Sequence, residues 1–190
     1  MDQEQRRAFV KRQREFRTFA ELVNAHWVLV DNAKKQRPGS LYECLAANIL
    51  AAFKLEAYLN HLGPLILADW DEKRGWHFKL ERIRKHLGVK PHDPRFQRLD
   101  EIFTLRNQVA HGKTTKQVTE GIEIGDTEEL RRRRPLAFWE ERCTPEFSEL
   151  AWRHTQAIIK WLHRAAGRDP QELRRPGASY SIHYVDTTDG

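Results

Sequence analysis

Apolar residues recur at three- and four-residue steps along most of the chain, which is the periodicity of amphipathic α-helices. Proline, glycine and capping residues mark the ends of these segments, as in Pro38-Gly39, Asp93-Pro94 and Thr144-Pro145. Ser40 and Glu43 also have the spacing of a capping box. The pattern predicts an all-α bundle of about five helices, over residues 3–35, 41–62, 72–87, 93–111 and 146–166.

Two stretches fall outside this pattern, an irregular insert at residues 113–143 and a C-terminal tail at residues 168–190. Val118, Ile122 and Ile124 fit a short β-strand, which would pair with a second strand over residues 179–185 in a small two-stranded element. No repeat or low-complexity linker divides the 190 residues. We expect a single domain over residues 1–190 with its core at about residues 40–165.

Charge and composition narrow the possible partners. The formal net charge of +6 favours an anionic partner, either nucleic acid or, less commonly, a membrane surface. No apolar run approaches the roughly 18 residues that a membrane span requires, and the N-terminus lacks the apolar core of a signal peptide. Cys44 and Cys143 are far apart and have no metal-like spacing, so we expect reduced thiols in a cytoplasmic protein.

Motifs for metals and nucleotide cofactors are missing from the sequence. The histidines lack zinc-ligand spacings, and there is neither a Walker-type loop nor a G-x-G-x-x-G segment. We therefore predict no metal site and no cofactor.

Two charged residues interrupt apolar stripes. Arg106 lies within the stripe formed by Leu99, Ile102, Phe103, Val109 and Ala110, and a buried arginine needs an anionic partner. Glu56 lies within the stripe formed by Leu45, Ile49, Ala52 and Phe53, and Asn60 follows one turn later. We predict that Glu56 pairs with Arg106. The pair is either a structural salt bridge that fixes helix register or part of a functional site, where local rules are often broken.

Asn107 and His111 are four residues apart, so they share one face at the end of their helix. Arg106 and His111 are five apart, which places them roughly 140° apart around a straight helix. They could converge through the length of the arginine side chain, through a distorted last turn, or across a dimer.

The segment Arg106-Asn107-Gln108-Val109-Ala110-His111-Gly112 resembles the R-N-x-x-x-H motif of HEPN (higher eukaryotes and prokaryotes nucleotide-binding) domains. The run LAANILAAFKLEAYLNHLG, residues 45–63, resembles the long second helix of that family, with Glu56 where some members carry an acidic residue. The resemblance covers about residues 40–165. It implies an all-α bundle with a long central helical hairpin, and a homodimer that brings two motifs into one cleft.

The resemblance also implies a function, since many members of that family are metal-independent endoribonucleases in toxin–antitoxin, phage-defence or RNA-processing systems. His111 would be the acid–base group, Arg106 would hold the scissile phosphate, and Asn107 would orient His111 or contact the phosphate. Glu56, with Asn60 nearby, would support Arg106. The alternative is that His111 only interacts with the helix C-terminus, which Gly112 caps.

Other basic residues are weaker candidates for contacts with RNA. Lys113 follows the motif, and the run of Arg131, Arg132, Arg133 and Arg134 is either a grip on an RNA backbone or a solvated segment. We expect an endoribonuclease acting on RNA, with tRNA as one candidate substrate and an antitoxin or regulatory protein as a further partner. A catalytically silent HEPN module that binds nucleic acid or a protein, and a purely structural helical interaction domain, are the alternatives.

Overall fold

The computed structural model describes residues 8–14, 16–90, 93–114, 116, 118–133, 135–173 and 178–184. Within those ranges the regular structure consists of seven α-helices, two short 3₁₀-helices (Pro94–Phe96 and Pro170–Leu173) and one two-stranded sheet. In chain order they are β1 (Ala8–Arg14), α1 (Thr18–Ala33), α2 (Ser40–Ile66), α3 (Trp76–His86), α4 (Leu99–Ala110), α5 (Thr127–Arg132), α6 (Phe138–Glu141), α7 (Pro145–Ala165) and β2 (Ala178–Tyr184). The five helices of eleven or more residues confirm the predicted all-α bundle.

Helix α2 is the centre of the bundle. It forms a long hairpin with α1 and also packs against α3, α4, α6 and α7, which confirms the predicted central hairpin. Leu55, Leu59 and Leu62 on its inner face are completely buried, and burying each such side chain contributes roughly 1.5–3 kcal/mol. Because α2 touches both α3 and α4, a side chain at the edge of its buried face can reach both helices.

The predicted N-terminal helix over residues 3–35 is wrong in its first half. The helix begins at Thr18, and β1 pairs with β2 in an antiparallel ladder that joins Ala8 to Tyr184 and Arg14 to Ala178. Residues 3–7 lie outside the described residues. The local composition of AFVKRQR suits a helix, but hydrogen bonding to a strand at the far end of the chain overrides that preference.

The second strand was therefore predicted correctly, but its partner was not. Residues 118–124 have no regular structure, and Ile122 and Ile124 are almost fully exposed. Nothing buries the apolar side of this segment, so its alternation does not produce a strand. The irregular insert instead contains the short helices α5 and α6.

Helix ends follow several of the predicted signals. Thr144 caps α7 by accepting a hydrogen bond from the Phe147 amide, at 3.2 Å. Gly88 follows α3 at φ +67°, and the amide of Val89 donates to the Arg84 carbonyl at 2.9 Å, as in a Schellman motif.

The predicted capping box of Ser40 and Glu43 does not form. The N-cap of α2 is Gly39, at φ +94°, and Ser40 is the first helical residue. The Glu43 carboxylate lies 3.5 Å from Arg37 instead. A glycine in the left-handed conformation fixes the chain direction here without a side-chain cap.

Helix α2 is longer than the predicted range 41–62. It continues through Pro64 and ends at Ile66. Gly63 permits a close approach in this last turn, since a Cβ atom there would lie 2.2 Å from the Trp70 ring. No helix among the described residues is long and apolar enough to cross a membrane.

Candidate functional site

The predicted pairing of Glu56 with Arg106 is confirmed, and it includes a third residue. Arg106 Nη2 donates to Glu56 Oε2 at 3.2 Å, and Lys79 Nζ donates to Glu56 Oε1 at 3.2 Å. One carboxylate on α2 therefore joins a guanidinium on α4 and an ammonium on α3. We call Glu56, Lys79 and Arg106 the charge triad.

The three side chains differ in burial. Lys79 is 3% exposed, Arg106 19% and Glu56 26%. On α3, Lys79 shares the buried face with Trp76, Leu80 and Ile83. The Lys79 ammonium group therefore lies on the buried side of the triad. The Arg106 and Glu56 side chains lie on the side that faces solvent.

Aromatic rings border the Arg106 guanidinium. Its carbon Cζ lies 5.8 Å from the centre of the Phe53 ring and 5.5 Å from that of Phe103, within the range of cation–π attraction. Phe103 in turn stacks on Trp76 with ring centres 3.9 Å apart. These contacts fix the guanidinium from two sides, yet its Nε atom is buried and has no hydrogen-bond partner among the described residues. The site therefore contains a buried N–H donor that no described residue uses.

Asn107 and His111 lie on the exposed end of α4. His111 is the residue that ends the helix, and its amide donates to the Asn107 carbonyl at 2.9 Å. Gly112 follows in a tight position, because a Cβ there would lie 2.9 Å from the Gln108 carbonyl oxygen. In the described part of the chain, no residue hydrogen-bonds to either side chain. A single chain thus presents His111 to solvent rather than to Arg106.

The remaining predicted residues are spread more widely. Asn60 is half-buried, and its Oδ1 atom is buried without a partner among the described residues. Lys113 is exposed just beyond α4. Among the described residues, neither side chain forms a hydrogen bond or an ion pair with the charge triad.

Of the arginine run, the structure describes the side chain of Arg133. Arg131 and Arg132 are the last residues of α5, and Arg134 lies outside the described residues. Arg133 pairs with Glu129 and lies 3.5 Å from Glu123. Since these carboxylates already compensate its charge, Arg133 is a poor candidate for gripping a phosphate backbone.

A cleft of about 270 Å³ lies between α3 and the start of α4, at the end of α4 opposite His111. It is lined by Trp76, His77, Leu80, Arg84, Asp93, Phe96, Gln97 and Asp100. Within it, His77 Nε2 lies 3.2 Å from Asp100 Oδ1. The cleft is therefore separate from the helix end that carries Asn107 and His111.

Lys79 is the member of the triad that sequence reasoning missed. The signal was present, because Trp76, Lys79, Leu80 and Ile83 follow helical spacing and place the lysine on the apolar side of α3. The same logic that singled out Arg106 and Glu56 applies to it.

Sequence reasoning also missed two other buried basic residues. Lys54 on α2 and His26 on α1 are both fully buried. Burial lowers the pKa of Lys54 to about 7, and its Nζ atom donates to the Trp152 carbonyl at 3.4 Å. Burial, followed by the Lys54 charge, lowers the pKa of His26 to about 2. Burial disfavours the charged form of both side chains, and neither side chain lies in a site that opens to solvent.

Among the described residues, no group of three or more His, Cys, Asp or Glu side chains is placed to hold a metal ion. No family model, no curated protein and no solved structure matches the chain. Any assignment of function therefore depends on the chain's own residues and their geometry.

Proposed function

We propose that this chain is a HEPN-like, metal-independent endoribonuclease that cleaves RNA by attack of the ribose 2′-hydroxyl. The observation that carries the proposal is the Glu56–Arg106 ion pair, which holds a guanidinium on the partly buried side of α4, near its C-terminal end. His111 follows five residues later and is the exposed residue that ends the same helix. An oriented arginine and an accessible histidine at one end of a helix are residue types suited to phosphodiester chemistry.

In the proposed reaction, the 2′-hydroxyl oxygen attacks the adjacent phosphorus and the 5′-oxygen of the next nucleotide leaves. His111 takes the proton of the 2′-hydroxyl while water protonates the leaving oxygen, or it protonates the leaving oxygen while water takes the 2′-hydroxyl proton, because a histidine exists in both protonation states near neutral pH. Arg106 stabilises the charge that builds on the phosphate oxygens. Asn107 orients His111 or contacts the phosphate. The products are a 2′,3′-cyclic phosphate and a 5′-hydroxyl end.

A homodimer would complete the site. Within one chain, Arg106 and His111 point in directions roughly 140° apart around α4. Phe53 borders Arg106 and is 42% exposed, so the site opens beside an apolar part of α2 that a second copy could cover. Two-fold pairing through this face would bring two R-N-x-x-x-H segments together.

The proposed context is a cytoplasmic toxin or phage-defence effector that acts on RNA, with tRNA as one candidate substrate. An antitoxin or regulatory protein would restrain it. The formal net charge of +6 supports an RNA substrate.

A silent HEPN module that binds nucleic acid or a protein is the second candidate. The lack of contact between His111 and the charge triad within one chain favours it. This candidate predicts salt-sensitive RNA binding without cleavage, since phosphate contacts release counterions. A purely structural interaction domain, the third candidate, predicts neither binding nor cleavage.

The test compares the wild type with His111→Ala on total RNA and tRNA in the presence of EDTA. His86→Ala is the matched control, because His86 is an exposed histidine in the last turn of α3, outside the motif. We expect cleavage by the wild type and the control, with 2′,3′-cyclic phosphate ends, and a rate lower by about 10²- to 10⁴-fold for His111→Ala. Cleavage by His111→Ala at the wild-type rate would refute the assignment. Intact RNA with all three proteins would favour the silent module.

A further inference from the structure

The charge triad holds more positive than negative charge. Lys79 and Arg106 are cations, and Glu56 is the carboxylate that both of them contact. Each carboxylate oxygen is committed to one cation, Oε1 to Lys79 and Oε2 to Arg106, both at 3.2 Å. One carboxylate cannot neutralise two cations, so the triad has a net charge of about +1 in a partly desolvated position.

Burial decides which cation depends more on the carboxylate. Lys79 is 3% exposed and Arg106 is 19% exposed, so water solvates the guanidinium better than the ammonium. A desolvated charge without a counter-ion costs several kcal/mol, and the need of Lys79 for Glu56 is therefore the greater. The surplus positive charge is left on Arg106, which also has the unpartnered Nε donor.

Without Lys79, Glu56 and Arg106 would form an ordinary neutral pair. An incoming phosphate would then have to compete with the carboxylate for the guanidinium. With Lys79 in place, Glu56 can orient Arg106 through a single oxygen while its charge is compensated from the other side.

We propose that Lys79 is a positioning residue that compensates the charge of Glu56, so that Arg106 binds a phosphate oxyanion with its own charge uncancelled. This inference rests on the proposed role of Arg106 as the phosphate ligand. Lys79 does not touch the phosphate, and its effect passes entirely through Glu56.

The test measures binding of inorganic phosphate through the NMR signal of the Arg106 Nε–H group, assigned by its absence in Arg106→Lys. Lys79→Met lowers the net charge of the triad from +1 to 0 and should weaken phosphate binding by about tenfold or more. Lys79→Arg retains the charge and should bind nearly as the wild type. The double variant Lys79→Met with Glu56→Gln restores a net charge of +1 and should recover wild-type affinity to within about threefold.

Recovery in the double variant is the result that a merely structural role of Lys79 would not give. Wild-type affinity in Lys79→Met, or no recovery in the double variant, would overturn the proposal. If Lys79→Met does not fold, the double variant decides alone, because it leaves neither a buried lysine nor an uncompensated Glu56 carboxylate. Affinity more than about tenfold below wild type would then overturn the proposal.

RNA cleavage by the same proteins separates this inference from the proposed function. A wild type that binds phosphate as described but never cleaves RNA would refute the ribonuclease and leave the role of Lys79 intact. A wild type that cleaves RNA, with Lys79→Met equally active and equally able to bind phosphate, would refute only the role of Lys79.

Discussion

Arg106 on α4 and Glu56 on α2 lie 3.2 Å apart across a helix interface, although they are 50 residues apart in sequence. Each side chain occurs within a largely apolar face of its own helix, and the charge-assisted hydrogen bond between them orients the guanidinium. Their contact fixes α4 against the central helix and aims its last turn, where Asn107 and His111 lie. Stability and candidate chemistry are thus coupled at one ion pair.

Removing the carboxylate of this pair should destabilise the fold. Glu56→Gln leaves Lys79, which is 3% exposed, without its anionic partner. We expect the free energy of unfolding to fall by roughly 2–3 kcal/mol, less than for a fully buried pair because Glu56 itself reaches solvent. Urea unfolding monitored by circular dichroism measures this.

The matched control for that substitution is Glu141→Gln, at an exposed position in α6. Its effect should stay within about 0.5 kcal/mol. Equal losses for the two variants would mean that the triad contributes nothing specific to stability.

Subunit mixing tests whether two chains build one site. If Arg106 of one chain acts with His111 of the other, Arg106→Ala and His111→Ala homodimers are both inactive. Mixed and allowed to exchange at equal amounts, they form heterodimers with one intact site each, and about a quarter of wild-type RNA cleavage should return. Light scattering should show a dimer. No recovery despite verified subunit exchange would place both residues of each site in the same chain.

Replacing the buried Lys54 should stabilise the protein at neutral pH. Burial lowers the pKa of Lys54 from 10.5 to about 7. Between these values the unfolded chain binds more protons than the native one, so the stability of the wild type rises from pH 7 towards 10.5. Lys54→Met removes the cost of burying the charge, which is on the order of a few kcal/mol at pH 7, and should flatten this dependence.

Lys160→Met is the control for this substitution, since Lys160 is exposed on α7. It should leave the pH profile of stability unchanged. A Lys54→Met variant that keeps the wild-type rise between pH 7 and 10.5 would contradict the assignment of that rise to Lys54.

His26 should make the protein sensitive to acid. Its pKa falls from 6.5 to about 2, through burial and then through the Lys54 charge. The unfolded state gains a proton below pH 6.5 that the native state does not accept until about pH 2, so stability falls as the pH falls through this window. His26→Leu should reduce that loss, measured as the melting temperature at pH 7 and pH 4. The exposed His86→Leu should change the difference little, and equal curves for wild type and His26→Leu would contradict the prediction.

Local signals in the sequence determined most of the helical architecture. Helical periodicity located α2, α3, α4 and α7, and Thr144-Pro145 marked the start of α7 correctly. The pairing of Glu56 with Arg106 followed from the same periodicity, because a charge on an apolar face requires a partner and each face contained one. Periodicity depends on neighbours within a few turns, so the sequence alone predicts the helices and the faces on which these two charges lie.

Only the tertiary structure decided where distant segments meet. Residues 8–14 have helix-forming composition, yet they form β1 because β2, at the other end of the chain, supplies their hydrogen-bond partners. Lys79 became part of the triad because α3 packs against α2 beside Glu56. Likewise, the packing of the helices buries Lys54 and His26 completely and excludes water from them. Periodicity gives the face on which a residue lies, whereas the element that covers that face is determined by packing of the whole chain.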